Sequence, residues 1–457
     1  MSDAIALIEP PAPAVHPKDL PPLRLILGTI RNSLEIWPAR AFVETFSRNK
    51  IFGIKSVLIN DPAGIRHVLA TNAKNYVRPP IMARIARPIL GQGIFLAEGD
   101  AWRQQRRLLA SAFTPQSVSK LIPHFAAAAS DFLAGLSADR KTDLSDAYQG
   151  VALNAVLRAL FSIPNPSDRD RVAGVVRGYI NGPGRPQVFD GFAKSETDFS
   201  FALSKRRAFR QRWTARVDAI VSARLEAQSA RPEDLLDLLI AARDPETGLG
   251  LQQADIRDQA ATMIFAGYET TARLLFWASY LLTLDQAEQS RVYAEISAFP
   301  PAQVGALEDL NRWPRLRNVL LEALRLYPPL PLLVREPRED DVIAGERVRA
   351  GTQVYIAPWI MHRHHAYWRE PTAFSPDRFA DQPSPWTNGG AFLPFGAGPR
   401  ICIGAAFALA EAQIVLATLL SRFRISLDDE RPVLPVGQLT TQPSHAPLFT
   451  LSARAHY

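Results

Sequence analysis

One cysteine stands in the chain, and it lies in a glycine-rich segment. Cys402 is the only cysteine among 457 residues, and the run 395–404 reads Phe-Gly-Ala-Gly-Pro-Arg-Ile-Cys-Ile-Gly. A lone thiol cannot form an internal disulfide or a multi-cysteine zinc or iron–sulfur site. Glycines let backbone N–H groups approach a sulfur closely, and such donors stabilise a thiolate and tune a metal that it binds. Cys402 is therefore a candidate thiolate ligand, with a small buried hydrophobic side chain as the alternative.

A second candidate site interrupts a long apolar helical pattern, where residues 266–271 read Ala-Gly-Tyr-Glu-Thr-Thr. Ala266, Gly267 and Thr270 share one helix face because they are three and four residues apart. A glycine inside a helix costs about 1 kcal/mol relative to alanine, so it indicates a local constraint. Structural explanations are close helix packing at Gly267 and a bond from the Thr270 hydroxyl to the Ala266 carbonyl. The functional alternative is a groove opened by the small residues, beside which Thr270 and Glu269 transfer protons.

A Glu-x-x-Arg pair, Glu322 and Arg325, lies in a helix that two prolines end. Four leucines in the same turns indicate burial, and a buried ion pair without further partners is costly. Arg378, in a Phe-Ser-Pro-Asp-Arg-Phe segment, supplies a third member. We expect the three side chains to form a structural network that holds the segment before Cys402. A solvent-exposed ion pair is the alternative.

An indole and a guanidinium, those of Trp102 and Arg106, are four residues apart on one face of a predicted helix. Two hydrogen-bond donors on one face suit a carboxylate ligand. The alternative is a half-exposed tryptophan beside solvated arginines.

These segments together resemble one family. The aromatic Phe395, Gly398, Arg400, Cys402 and Gly404 match the haem-binding loop of the haem-thiolate monooxygenases, the cytochromes P-450. The 266–271 segment resembles their oxygen-activation motif, and the other two segments resemble further family motifs in family order. The resemblance covers nearly everything after about residue 25. It implies the cytochrome P-450 fold, mainly α with a small β region, holding haem b with Cys402 as the iron ligand.

The resemblance also implies roles for individual residues. Small residues would open a groove for O₂ beside the haem, Thr270 would hold the oxygen by its hydroxyl, and Glu269 would relay protons from solvent. The Glu322–Arg325–Arg378 network would serve haem retention. Implied haem-binding residues are Trp102, Arg106, Ala266, Gly267, Arg335, Phe395, Gly396, Arg400, Cys402 and Gly404, of which Trp102, Arg106, Arg335 and Arg400 would contact the propionates. Implied pocket residues are Ile81, Leu90, Ile264, Leu332, Leu333 and Val334, within the ranges 81–90, 182–192, 264–266, 330–334 and 440–443.

The implied reaction inserts one oxygen atom from O₂ into a hydrophobic small molecule of the terpenoid, steroid or fatty acyl class. A single cysteine excludes a built-in iron–sulfur centre, and no Gly-x-Gly-x-x-Gly follows a predicted strand. Two electrons would therefore come from a separate ferredoxin or flavodoxin. The alternatives are a haem-thiolate isomerase or peroxide-driven peroxygenase, which would not need the Glu269–Thr270 pair, and a non-catalytic haem sensor, which usually carries an output domain.

Composition and periodicity set the architecture. Apolar residues make up 47% and charged residues 21%, as in ordinary globular proteins. We predict a proline-rich extended arm over 1–22 and a single domain over 23–457. No run of 18 apolar residues and no signal peptide are present, so we expect a cytoplasmic protein without a membrane span. Helices are predicted over 102–113, 148–162, 204–227, 255–283, 313–326 and 404–422, and strands over 57–59 and 354–356.

The formal net charge is +7, which favours nucleic acid, anionic lipid or an acidic protein as partner. The resemblance favours the acidic redox protein and no nucleic acid, with Arg103, Arg107, Arg315 and Arg317 as candidate docking charges or merely solvated ones. The basic segment 205–213 is interpreted as the solvated face of an amphipathic helix. His362–His365 lacks metal-ligand spacing and a carboxylate partner. Arg78, Arg84 and Arg87 could anchor a substrate carboxylate or lie in solvent.

Overall fold

Helices dominate the structure, and the longest of them, α11 (Gln253–Leu284), is buried on all sides from Thr271 to Leu282. A helix that is apolar all round needs such a core position. The structure is a computed structural model that describes residues 8–51, 53–162, 166–180, 182–184, 201–226, 234–381 and 390–454.

The other helices surround α11. In chain order they are α1 (Pro22–Arg31), α2 (Pro62–Arg66), α3 (Pro80–Leu90), α4 (Gly99–Ala110), α5 (Pro115–Lys120), α6 (Ile122–Ala134), α7 (Leu144–Phe161), α8 (Pro166–Ile180), α9 (Leu203–Glu226), α10 (Leu235–Ala241), α12 (Gln286–Ala298), α13 (Pro314–Leu326), α14 (Pro358–Met361) and α15 (Ala405–Arg422).

The strands are short and form four small sheets. The largest has the order β1-β2-β8-β5-β3, in which only the β2–β8 pair is parallel. The others pair β4 with β12 and β9, β6 with β7, and β10 with β11. The strands are β1 (Phe46–Ile51), β2 (Ile54–Ile59), β3 (Tyr76–Val77), β4 (Lys141–Asp143), β5 (Leu333–Pro337), β6 (Asp341–Ile343), β7 (Glu346–Val348), β8 (Gln353–Ile356), β9 (Phe423–Leu427), β10 (Pro435–Gly437), β11 (Thr441–Pro443) and β12 (Leu448–Ala453).

All six predicted helices and both predicted strands are present, so the mainly α architecture is confirmed. The two strands are neighbours, with Val57 opposite Val354. The largest shift in a boundary is at α7, which begins four residues before the predicted 148. There the Asp143 carboxylate accepts bonds from the N–H groups of Ser145 and Asp146 and so caps an earlier first turn.

The described part of the N-terminal arm is extended and packs on the body of the protein. Ile8 forms a β-bridge with Phe374, and the Tyr327 hydroxyl donates to the Pro11 carbonyl (2.8 Å). The arm is therefore held at several points before α1 begins at Pro22.

By length and composition, α15 is apolar enough to cross a membrane, and 61% of its residues are buried inside the protein. Its apolar side chains pack against α11, α6 and α13. The apolar character of α15 is explained by this position in the core.

Helix α11 packs tightly against α7 at Gly267. A Cβ atom at this position would lie 2.8 Å from the Cγ2 atom of Val156. This is the close helix packing that the sequence offered as one explanation for the glycine.

We expect Gly267→Ala to lower the free energy of unfolding by about 1 kcal/mol. Overpacking against Val156 costs about 1–3 kcal/mol, and the higher helix propensity of alanine returns about 1 kcal/mol. The matched control is Gly150→Ala on the exposed face of α7, where no atom lies within 4 Å of the added Cβ. That variant should gain about 0.5–1 kcal/mol in urea unfolding. Equal stabilisation by both alanines would show that the α7–α11 contact does not constrain Gly267.

Candidate functional site

The Cys402 segment folds into a tight loop directly before α15. The Cys402 N–H donates to the Phe395 carbonyl (2.9 Å), which closes the loop. Gly396 and Gly398 adopt φ values of +74° and +70°, a region that side-chain-bearing residues rarely enter. A Cβ at Gly398 would also lie 2.1 Å from the Leu69 carbonyl oxygen, so this position has no room for a side chain.

Cys402 is exposed as a residue, although many protein atoms surround its thiol. Burial raises its pKa above the ordinary value, while a hydrogen bond from the Gly404 N–H and the positive charge of Arg106 act in the opposite direction. The loop thus supplies two features that favour a thiolate. A metal cation bound to the sulfur would add the remaining stabilisation, because coordinated thiols lose their proton.

A partly buried cluster of arginines includes Arg400 of this loop. Arg78 donates to Glu98 (2.9 Å), Arg400 donates to the same carboxylate, and the Arg400 guanidinium lies 4.4 Å from the ring centre of Trp102. Burial and the charges of Arg78 and Arg400 lower the pKa of Arg335 to about 9. Burial and the charge of Arg78 likewise lower the pKa of Arg400 to about 10. Arg78 and Arg400 both pair with Glu98, and Arg335 interacts electrostatically with all three, so the cluster carries excess positive charge that suits an additional anionic ligand.

Helix α11 changes character at the segment that precedes its fully buried half. Ala266 is exposed and Thr270 is partly exposed. The Thr270 hydroxyl donates to the Ala266 carbonyl (2.7 Å), as one of the two structural explanations expected. The small side chains at these positions leave an accessible strip along an otherwise buried helix.

Glu269 lies on a different face of α11 from this strip and is buried. Its Oε1 atom accepts bonds from Arg273 Nε (2.9 Å) and from the Thr440 hydroxyl (3.1 Å). Arg273 donates in turn to the Ser145 hydroxyl (3.1 Å). An ion pair inside the protein therefore holds the Glu269 carboxylate, which the sequence analysis expects to relay protons from solvent.

The expected pocket residues divide into two groups. Ile81, Leu332, Leu333 and Val334 are partly exposed. Leu90 and Ile264 are instead fully buried and pack in the core, so they do not line an accessible surface. Residues 185–192 of one expected pocket range lie outside the described residues. Three apolar residues outside the expected ranges, Met263, Ile94 and Phe95, are also partly exposed, as is Phe265 within the range 264–266. Met263 could have been found from its i−3 spacing to Ala266.

The Glu322–Arg325 network is formed as expected, and both side chains are fully buried. Arg325 makes two bonds of 2.7 Å to the Glu322 carboxylate, and Arg378 Nε donates to the same carboxylate at 3.0 Å. Arg325 also donates to the backbone carbonyls of His362, Pro371 and Ala373.

His362 joins this network to the cysteine loop. The Leu393 N–H donates to His362 Nε2 (2.8 Å), so Nδ1 carries the proton and donates to the Arg325 carbonyl (3.2 Å). The Gly396 N–H donates to the Leu393 carbonyl (3.1 Å), which continues the chain of bonds into the loop. Burial, aided by the charges of Arg325 and Arg363, lowers the pKa of His362 to about 3. The imidazole therefore acts as a neutral connector.

Many of the remaining charged residues singled out in the sequence are buried or form ion pairs and hydrogen bonds within the protein. Arg206, Phe209 and Trp213 of the basic segment are buried, whereas its other basic residues are half-buried or exposed, so only part of the segment is a solvated face. Candidate docking charges form ion pairs: Arg103 with Asp100, Arg107 with Asp244, and Arg315 with Glu288. Arg84 is buried, Arg87 donates to Gln92, and Arg78 joins the cluster beside the loop.

The cysteine loop, the cationic cluster at it and the helix with an accessible strip together form the candidate site. The family model for cytochrome P450 matches residues 37–448. Cyclooctatin synthase of Streptomyces melanosporofaciens is 30% identical over 80% of this chain and 79% of that protein. Pentalenene oxygenase of Streptomyces avermitilis is 30% identical over 86% and 87%. The crystal structure of the cytochrome P450DA heme domain superposes with a TM-score of 0.79, at 23% identity and 98% coverage of both chains. The chain belongs to the cytochrome P450 family and is a haem-containing monooxygenase.

The residues present fit haem. Cys402 would supply the one sulfur ligand, and the excess positive charge of Arg78, Arg335 and Arg400 over Glu98 would match the two propionates that haem carries. Trp102 lies against the Arg400 guanidinium, and the positive charge of Arg106 acts on the Cys402 thiol.

We expect Arg325→Ala to lower the free energy of unfolding by about 3–5 kcal/mol, because the Glu322 carboxylate would stay buried without its main partner. Guanidinium unfolding and the fraction of protein that carries haem measure the effect. The matched control is the exposed Arg369, whose change to alanine should cost less than about 0.5 kcal/mol. Equal stability and haem content in both variants would contradict the network.

A second prediction concerns pH. The His362 imidazole stays neutral in the folded protein down to about pH 3, whereas an unfolded histidine binds a proton near its ordinary pKa. Stability is therefore lost as the pH falls below about 6.5. His362→Gln keeps a donor and an acceptor but does not titrate, so between pH 7 and 5 it should lose about 2 kcal/mol less than the wild type. Parallel losses in the two proteins would show that His362 is not held neutral.

Proposed function

We propose that this monooxygenase inserts oxygen into an apolar terpenoid-like molecule that lies along the accessible strip of α11. The observation that carries the proposal is the change from a fully buried helix to the exposed Ala266 and partly exposed Thr270, next to partly exposed apolar side chains. Relatives named pentalenene oxygenase and cyclooctat-9-en-7-ol 5-monooxygenase support the terpenoid class. Steroid or fatty acyl substrates are the alternative within the same apolar chemistry.

The cysteine loop would hold the haem, and Cys402 would be its axial thiolate ligand. When bound, thiolate-ligated haem supplies the chemistry of oxygen activation and C–H oxidation. The protein would supply position, because the closed 395–404 loop would hold the ligand Cys402 and the arginine cluster would bind the propionates. Two other implied haem contacts lie on α11. The small Ala266 side chain keeps the strip open, whereas Gly267 lacks a side chain because Val156 of α7 packs against it.

Proton delivery would pass through Thr270, assisted by Glu269. The Thr270 hydroxyl now donates to the Ala266 carbonyl, and rotation about its C–O bond would turn the proton toward the strip. Glu269 would have to release Arg273 or Thr440 before its carboxylate could reach Thr270. The buried ion pair thus makes side-chain movement of Glu269 a requirement of the relay.

Electrons would come from a separate acidic ferredoxin or flavodoxin, and the protein would act in the cytoplasm. A cleft of about 250 Å³ supports a docking place near the cysteine loop. It is lined by Arg317 of α13 and by Ala406 and Leu409 in the first turns of α15, directly after Cys402. Of the four candidate docking charges, Arg317 is the one that borders this cleft.

Cys402→Ser tests the ligand. The reduced wild-type protein with CO should show the red-shifted Soret band of thiolate-ligated haem, and the serine variant should lack it, because a neutral hydroxyl does not donate the same electron density. Ala408→Ser in α15 controls for an added hydroxyl in the same region. A red-shifted band that survives in Cys402→Ser would exclude this ligand.

Thr270→Ala tests the relay and separates the monooxygenase from the isomerase and peroxygenase alternatives. Loss of a positioned proton-transfer group typically costs 10²–10⁴-fold, and electrons should be diverted to H₂O₂ instead of product. The measurement is product and H₂O₂ formed per electron pair with a competent ferredoxin system. Thr270→Ser keeps the hydroxyl and should keep the coupling. Unchanged coupling in Thr270→Ala would place the relay elsewhere, and full turnover without an electron donor would favour the isomerase.

A further inference from the structure

The N-terminal helix α1 turns its apolar side chains toward solvent. Leu23, Leu27 and Ile30 are 67%, 42% and 39% exposed, and α1 has no buried residue. Their i, i+4, i+7 spacing places all three on one helix face. A surface helix ordinarily packs such a face on the core, so this arrangement leaves an apolar stripe without a partner in the described part of the protein.

The edge of this stripe is basic. Arg24 and Arg31 are seven residues apart, so they follow one another along the same side of α1, and both are exposed. No acidic residue lies in α1, and the exposed Lys18 precedes it. The nearby Asp19 is held by Arg40 at 3.0 Å. We call the apolar stripe together with Lys18, Arg24 and Arg31 the α1 face.

We propose that the α1 face docks on the surface of an anionic lipid bilayer. Helices that lie in the membrane interface combine an exposed apolar face with arginine or lysine beside it, because the side chains then reach the acyl boundary and the anionic headgroups together. A second copy of this chain would place Arg24 and Arg31 opposite the same cations across a two-fold axis. A nucleic acid would match the cations but leave Leu23, Leu27 and Ile30 in water. The bilayer is the occupant that satisfies both parts of the face.

The α1 face is joined to the elements of the active site by a short chain of bonds. Asn32 Oδ1 accepts from the Gly437 N–H (2.7 Å), and the Ser33 N–H donates to the Gly437 carbonyl (2.8 Å). Gly437 ends β10, and Thr440, three residues later, donates to Glu269. A bilayer on α1 would therefore lie next to the β10–β11 hairpin. If the proposed function holds, an apolar substrate dissolved in the bilayer would enter from that side; the docking itself does not depend on the proposed function.

Vesicle co-sedimentation of the full-length, haem-loaded protein tests the docking. The protein should bind vesicles of phosphatidylcholine mixed with phosphatidylglycerol, and bind pure phosphatidylcholine much less. Arg24→Gln with Arg31→Gln should weaken binding about fivefold for each arginine at low salt. Leu23→Ser with Leu27→Ser should weaken it about tenfold for each leucine. All four side chains are exposed, so the CO spectrum and circular dichroism should stay unchanged.

Matched controls come from exposed side chains elsewhere. Leu249→Ser removes a leucine that is 63% exposed, and Arg347→Gln with Arg349→Gln removes two exposed cations. These variants should bind vesicles as the wild type does. The proposal is overturned if the wild type does not bind anionic vesicles, if the controls weaken binding as much as the α1 variants, or if the leucine variants bind unchanged. Concentration-dependent dimerisation that the leucine variants abolish, without vesicle binding, would show a second copy as the occupant instead.

Discussion

The buried ion pair of Glu322 and Arg325 is the constraint on which the geometry around Cys402 depends. Removing two charges from water is costly, and the attraction between them offsets that cost only if their remaining hydrogen-bonding capacity is also used. Here Arg325 uses it on the backbone carbonyls of His362, Pro371 and Ala373, and Glu322 accepts from the Ser375 N–H and from Arg378. The pair therefore fixes the path of the chain between His362 and Arg378.

His362 extends this constraint into the loop itself. A neutral imidazole with one donor and one acceptor matches a carbonyl on one side and an N–H on the other, which a charged ring could not do. Its partner Leu393 lies two residues before Phe395, whose carbonyl closes the loop onto the Cys402 N–H. The ion pair is thereby connected to the backbone of the cysteine loop through a few short hydrogen bonds.

Charge and space are organised around the loop in complementary ways. The arginines beside it carry more positive charge than Glu98 neutralises. Partial burial makes this excess charge unfavourable in the protein alone, and an anionic cofactor would compensate for it. On the other side, α11 serves as a core helix along one half and as the wall of an accessible strip along the other. Gly267 belongs to its packing against α7, whereas Ala266 and Thr270 belong to the strip. Residues of one short motif thus serve two roles, helix packing at Gly267 and an accessible surface at Ala266 and Thr270.

The amino-acid sequence by itself determined the helices, the mainly α fold class and the glycine-rich cysteine segment, because these depend on periodicity and on residues close together in the chain. It also indicated the Glu322–Arg325–Arg378 network, since leucines on the same turns revealed its burial. Only the tertiary structure decided which residues meet across the chain. Glu98 lies between Arg78 and Arg400, His362 reaches Leu393, and Arg273 with Thr440 holds Glu269 away from solvent. Leu90 and Ile264 are core residues. The neighbouring helices decide which side of a helix faces a groove, and the spacing of residues in the sequence does not contain that information.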